Sequence, residues 1–246
     1  MSIASEEELQ GMQNAGAVVK DALATMQEAV EPGITTNELN TICGCVFAKY
    51  GAVSAPLMIY GAPVNAFISV NDAVVHGLPS GRKLQPGDVV TLDVTPFLNG
   101  YIADAARTVI VPPASKVAKR LVKCAEAAFW AAMKVTKTGS PVNAIGRAVE
   151  REVKRYGFNV IHDLAGHGVG RDIHEEPEVL NFYHPQLRQP LTQNLVIAVE
   201  PMVAAGRRQV AQRKDGWTIA TQDGSLSAHY ENTVVVRKGK PLMLTV

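Results

Sequence analysis

Apolar residues recur at helical spacing from 6 to 30, and Glu31-Pro32-Gly33 ends that run. Thr35 and Glu38 have the spacing of a capping box, which predicts a second helix reaching Tyr50 and stopped by Gly51. The pattern then changes. From 52 to 111, Pro and Gly punctuate short β-prone runs at 66–70, 89–95 and 101–111. Pro112-Pro113 interrupts the chain, and 114–135 is Ala- and Lys-rich and helical again. Ser140-Pro141 reads as an N-cap followed by proline at the first helical position, predicting a helix over 142–156 that ends at Gly157. Strands are predicted at 195–200, 209–213, 217–220 and 229–236. Helices then strands, twice over, predict one α+β domain spanning 1–246, with a short segment of about six residues before the first helix. Its two similar halves would share a central antiparallel sheet, although no repeat of identical residues marks them.

Composition narrows the function classes. The 246 residues, 47% of them hydrophobic, suffice for a sizeable core. Twenty-four basic residues against 23 acidic leave no electrostatic footprint for nucleic acid or an anionic membrane. The first ten residues are acidic and polar, unlike a secretory signal, and no apolar stretch is long enough to span a bilayer. Cys43, Cys45 and Cys124 are too few for a disulfide framework. Cys43 and Cys45 lie in the second predicted helix without a matching Cys/His pair and read as packing residues. These features predict a soluble, cytoplasmic protein.

Asn99-Gly100 lies between two β-prone runs and is a strong hairpin signal, because both turn residues take positive φ. With those two in the turn, Leu98 pairs with Tyr101, Thr95 faces Asp104, and Asp93 faces Ala106. Asp93 then shares a face with Thr95 and sits diagonal to Asp104, close enough for two carboxylates to converge. Both acids interrupt apolar runs, and burying two like charges is costly unless a cation or proton intervenes. Taken alone, each has a plainer reading, as a turn cap or a partner of an arginine such as Arg107. A shared proton is a third, but the Gly-rich loops of an aspartic dyad are absent.

Gly166-His167-Gly168-Val169-Gly170 surrounds one imidazole with glycines, which let backbone approach and leave the ring unobstructed. No Lys-Ser/Thr follows, which weakens a phosphate-loop reading. His174 follows seven residues later. Glu200 ends the apolar run from 195 to 199, and Glu231 precedes another at 233–236. A lone histidine is usually a satisfied core or surface residue, and a lone glutamate at a strand end usually faces water. Four acids beside apolar β-runs, with this histidine, form an oxygen-rich set with one nitrogen. Such a set suits Mn, Fe, Co or Zn in a two-metal site better than structural zinc.

These residues, in this order, resemble the type I methionine aminopeptidases of the pita-bread fold. The likeness runs from about residue 8 to about 240. It is carried by Val70-Asn71-Asp72 through His76-Gly77, Leu92-Asp93-Val94-Thr95, Asp104, the glycine-flanked His167, and His174-Glu175-Glu176-Pro177. Glu200-Pro201-Met202 and Trp217 through Tyr230-Glu231-Asn232-Thr233 complete it. The resemblance implies removal of N-terminal methionine from peptides and nascent proteins, in the cytoplasm, by a monomer with access to the ribosome. It implies two divalent ions: Asp93 on one, Asp104 and Glu231 bridging both, His167 and Glu200 on the other. The ions would lower the pKa of a water between them. It also implies catalytic roles for His76, His174 and Glu200. His174 would contact the peptide carbonyl, His76 would lie near the substrate amine or scissile nitrogen, and Glu200 would shuttle a proton. Phe67 and Trp217 would line the side-chain pocket.

The chain departs from the family pattern at Phe67, where relatives often carry cysteine, and at Ile173, where they often carry a bulky aromatic. Ala103-Asp104-Ala105-Ala106-Arg107-Thr108 is closer to the Xaa-Pro peptidases of the same fold. Cleavage of Xaa-Pro bonds is therefore one alternative activity. An inactive binding module is another, disfavoured because all five implied metal ligands are present.

Overall fold

The helices begin and end where side chains and left-handed residues satisfy free backbone groups. In a computed structural model describing residues 1–246, α1 (Glu6–Ala29) is capped by the Ser5 hydroxyl, which accepts from the Glu8 amide. α2 (Thr36–Tyr50) carries the reciprocal Thr35–Glu38 capping box and stops at left-handed Gly51. α3 (Ala55–Tyr60) lies where only strands are predicted. Ser54 caps it, Pro56 occupies its first turn, and left-handed Gly61 closes it. A helix this short shows no hydrophobic period, so its caps are the only local signal. α4 (Lys116–Met133) is capped by Ser115, and α5 (Asn143–Tyr156) ends at left-handed Gly157. Ser140 does not cap α5. Its carbonyl accepts from Leu191, Pro141 bridges Pro190, and the helix starts at Asn143 without a side-chain cap.

Every strand pair is antiparallel, and the pairs group into five sheet segments. The strand Val196–Val199 shows how the layers meet. Val196 and Ala198 join the core formed with α1 and α2, whereas Ile197 and Val199 join the core formed with α4 and α5. Alternate residues point to opposite faces, and here both faces are covered, so the strand reads as a continuous apolar run. Each of the valine and isoleucine side chains contributes about 1.5–3 kcal/mol through burial. The helix pairs therefore sandwich the strands, one pair per half. Cys43 packs in the first core as expected, but Cys45 is exposed, because the two thiols are two residues apart and point to different sides of α2. No helix is long and apolar enough to cross a membrane.

Two runs predicted as single strands are broken. The first divides into Tyr101–Ile102 and Ala105–Ile110, the second into Ser227–His229 and Asn232–Val235. The breaks fall at Asp104 and Glu231, where the chain passes from one sheet segment to the next. There the halves are stitched together: the Glu231 amide donates to the Ala106 carbonyl at 3.0 Å. The Asp104 amide donates to Thr233 Oγ1, which donates back to the Asp104 carbonyl, both at 2.8 Å.

Candidate active site

The hairpin forms in the predicted register. Asn99 and Gly100 have φ of 49° and 87°, Leu98 pairs with Tyr101, and Asp93 pairs with Ala106. Thr95 Oγ1 donates to Asp104 Oδ1 at 2.8 Å. Asp93 and Asp104 line one pocket. Arg107 is not their partner: its guanidinium donates to the Ala106 and Glu231 carbonyls and to Asn232 Oδ1, and lies over the Tyr230 ring. It clamps the seam and leaves the acids without a counter-ion.

From the second half, His167 arrives on the strand Ala165–Gly168. A Cβ on Gly166 would lie 2.5 Å from the Ala198 carbonyl oxygen, and one on Gly168 would lie 2.2 Å from that of Glu176. Only glycine permits neighbouring strands to approach this closely on both sides of the imidazole. His167 Nδ1 lies 2.9 Å from the Gly168 carbonyl oxygen and donates to it, which leaves the Nε2 lone pair facing the pocket. Nε2 is 3.3 Å from Glu200 Oε1. The Glu200 backbone is held by Asn181, whose amide donates to its carbonyl at 3.0 Å. Glu231 is buried with Oε1 lacking any hydrogen-bond partner.

Burial pushes the Asp93 carboxyl up to about 7. Asp104, Glu200 and Glu231 are raised well above the carboxylate range, first by burial and then by neighbouring charge, that of Asp93 on Asp104 and that of Asp104 on the two glutamates. His167 is pushed down to about 4, first by burial and then by His174, so its ring is neutral. Four acids that repel one another around a neutral imidazole are an arrangement that a divalent cation would stabilise. The distances agree. Ligand atoms bound at about 2.0–2.2 Å to one tetrahedral ion lie about 3.4 Å apart. One oxygen or nitrogen from each of Asp104, His167 and Glu231 falls within 4.8 Å of the others, as does one from each of Glu200, His229 and Glu231. The residues present fit a metal.

The remaining predicted residues surround this cluster. His76 has a left-handed backbone, φ 57°, and its ring lies 4.9 Å from that of Phe67. Burial first, then His174, pushes its pKa down to about 4. Phe67 is paired with Asp93 across the sheet, and its ring centre is 6.2 Å from that of half-buried Trp217. His174 sits at the open rim, with its ring 4.4 Å from that of His167. All nine predicted site residues line the one cavity of about 140 Å³.

Two polar lining residues, Tyr60 and His229, escape the sequence reading. Tyr60, on α3, places Oη 2.7 Å from His174 Nδ1. His229 is buried, with burial and then the charge fields of His76 and Arg107 pushing it down to about 3. Tyr60 had no detectable signal beyond the α3 caps. His229 had one: it stands two residues before Glu231 in extended chain and so shares its face.

Comparison with known proteins adds the family. The model of Metallopeptidase family M24 matches residues 10–238. A methionine aminopeptidase of Clostridium perfringens (strain 13 / Type A) is 40% identical over 242 residues, covering 98% of this chain and 97% of that protein. The crystal structure of methionine aminopeptidase from Thermotoga maritima aligns with a TM-score of 0.96 at 35% identity, covering 100% of this chain and 99% of its own. That from Rickettsia prowazekii also aligns at 0.96, with 33% identity and full coverage of both chains. With the family model spanning nearly its whole length and these full-length likenesses beside it, the chain belongs to metallopeptidase family M24 and has its pita-bread fold.

Proposed function

We propose that this protein is a metal-dependent methionine aminopeptidase, releasing methionine from the N-termini of peptides and nascent proteins. The convergence of Asp93, Asp104, His167, Glu200 and Glu231 on one pocket, with no cationic side chain to neutralise them, carries the reading. The full-length likeness to methionine aminopeptidases supports the substrate. In this reading Asp93, Asp104, His167, Glu200 and Glu231 would hold the divalent metal, Asp93 and Asp104 from the first half and the other three from the second. The oxygen-rich donor set suits Mn, Fe, Co or Zn. Metal bound there supplies Lewis acidity toward the scissile carbonyl and lowers the pKa of the attacking water.

The protein's own groups do the rest. Glu200, which lines the pocket, accepts a proton from the attacking water and returns it to the leaving amine. Tyr60 donates to His174 Nδ1, fixing the tautomer that keeps a proton on Nε2. That proton is offered to the peptide carbonyl as negative charge develops on its oxygen. His76, kept neutral by burial, accepts a hydrogen bond from the substrate amine or the scissile nitrogen. The cavity of about 140 Å³ has room for one side chain. An unbranched thioether suits its irregular wall of Phe67 and Trp217, where sulfur meets aromatic rings. The same reading gives a cytoplasmic monomer that acts on free peptides and on chains emerging from the ribosome.

Met-Ala-Ser and Ala-Pro-Ala, incubated with the protein and added Mn or Co, test this directly. Methionine released from the first and no cleavage of the second is the expected result. Cleavage of Ala-Pro-Ala instead would overturn the substrate, and failure to take up either metal would overturn the enzyme itself.

A further inference from the structure

We propose that His229 is a nitrogen ligand in this metal centre, giving it two imidazoles rather than one. The proposal rests on the metallopeptidase reading above and adds a donor to it. His229 is 1% exposed, and neither Nδ1 nor Nε2 has a hydrogen-bond partner. Buried polar nitrogens are rarely left unpaired, so an orphaned Nε2 aimed at two acids signals a missing partner there. Nε2 is the nitrogen that faces the acids, 3.6 Å from Glu200 Oε2 and 3.5 Å from Glu231 Oε2. These separations are too long for good hydrogen bonds. They match the spacing of about 3.4 Å between donor atoms on a common tetrahedral ion. The His167 Nε2 to Glu200 Oε1 separation, 3.3 Å, belongs to the same range.

The backbone fixes this placement. The His229 amide donates to Thr108 Oγ1 at 2.9 Å, and that hydroxyl donates to the His229 carbonyl at 2.8 Å. His229 also pairs with Met202 across the strands, next to the turn that carries Glu200. Glu200 is thereby in reach of both His167 and His229, one imidazole near each of its oxygens. Glu231 Oε1 is a further buried atom without a partner. A second imidazole makes the centre more nitrogen-rich and moves its preference toward ions that favour imidazole, such as Zn and Co, relative to Mn.

X-ray absorption of the cobalt-loaded full chain, together with equilibrium cobalt binding, tests this without measuring catalysis. The wild type should show outer-shell scattering from two imidazoles per chain, and His229→Gln should show one. His229→Gln should also bind cobalt about tenfold or more weakly, with its circular dichroism unchanged. Should that variant fail to fold, the wild-type imidazole count alone decides. One imidazole per chain with normal cobalt uptake would overturn the role of His229 and leave the metallopeptidase reading intact. No cobalt uptake by the wild type would overturn that reading, and this one with it.

Discussion

The two halves deliver their acidic residues to the pocket by different means. Asp93 and Asp104 come from one hairpin, and a two-residue turn fixes how they face each other. His167 lies on a strand, Glu200 follows the end of one and Glu231 lies between two, and these strands are joined by pairings that span dozens of residues, such as Ala198 with His167 and Ala198 with Thr233. In the first half, position follows from a local conformational preference. In the second it follows from packing, including glycines that let Ala165–Gly168 lie tight against its neighbours. A metal centre that draws on both can form only when the halves close correctly, and the Thr233–Asp104 and Arg107–Glu231 hydrogen bonds make that closure specific.

The largest expected effect is at the residue that belongs to both regions. Asp104→Asn removes the charge from an acid that reaches across the seam. It should abolish methionine release and weaken metal binding by about 100-fold or more, measured by calorimetry and peptide assay. Near-normal metal affinity would mean that the hairpin acids act separately from the second half. His174→Ala should leave metal content normal and lower kcat by about 100-fold. His76→Ala should lower turnover by about tenfold or more, again with metal content near normal. Metal loss in the His76 variant would refute its place outside the ligand set.

A smaller effect should appear as pH dependence in metal-free protein. Asp93, Asp104, Glu200 and Glu231 have folded pKa values above those of unfolded carboxyls, so the folded state favours their protonated forms. The resulting stability is fully present below the ordinary carboxyl range and is lost as pH rises above it, the Asp93 share through about 7. The melting temperature of metal-free protein should fall across that interval, and added Mn or Co should raise it most at the upper end. A flat profile would show that the acids do not crowd one another. Smallest of all, Asn99→Ala should cost about 1 kcal/mol in a denaturant melt, because alanine resists the positive φ that asparagine tolerates. A loss of activity much greater than this cost explains would show that the hairpin register is not set by its two turn residues.

Legibility in the sequence follows the same division. The hairpin register, the Thr35–Glu38 cap and the left-handed glycines at 51 and 157 are each dictated by a few adjacent residues, and each is found as predicted. Convergence of the second-half residues had no local cause to read, and it was the likeness to a known family that brought them together. Tyr60 stayed hidden because its helix is only six residues long. His229 stands at the polar start of a strand-like run whose strongest signal is the apolar stretch at 233–236, so its pattern does not mark the histidine. Ser140 misled because a motif that can cap a helix can equally join a strand-like bridge.

The central claim is that these five side chains gather to hold divalent metal, and a crystal grown with excess manganese tests it most directly. Anomalous scattering should place manganese between Asp93, Asp104, His167, Glu200 and Glu231, with carboxylate oxygens from both halves on the ions. Metal found only elsewhere on the surface, with those carboxylates turned away from a common centre, would contradict it.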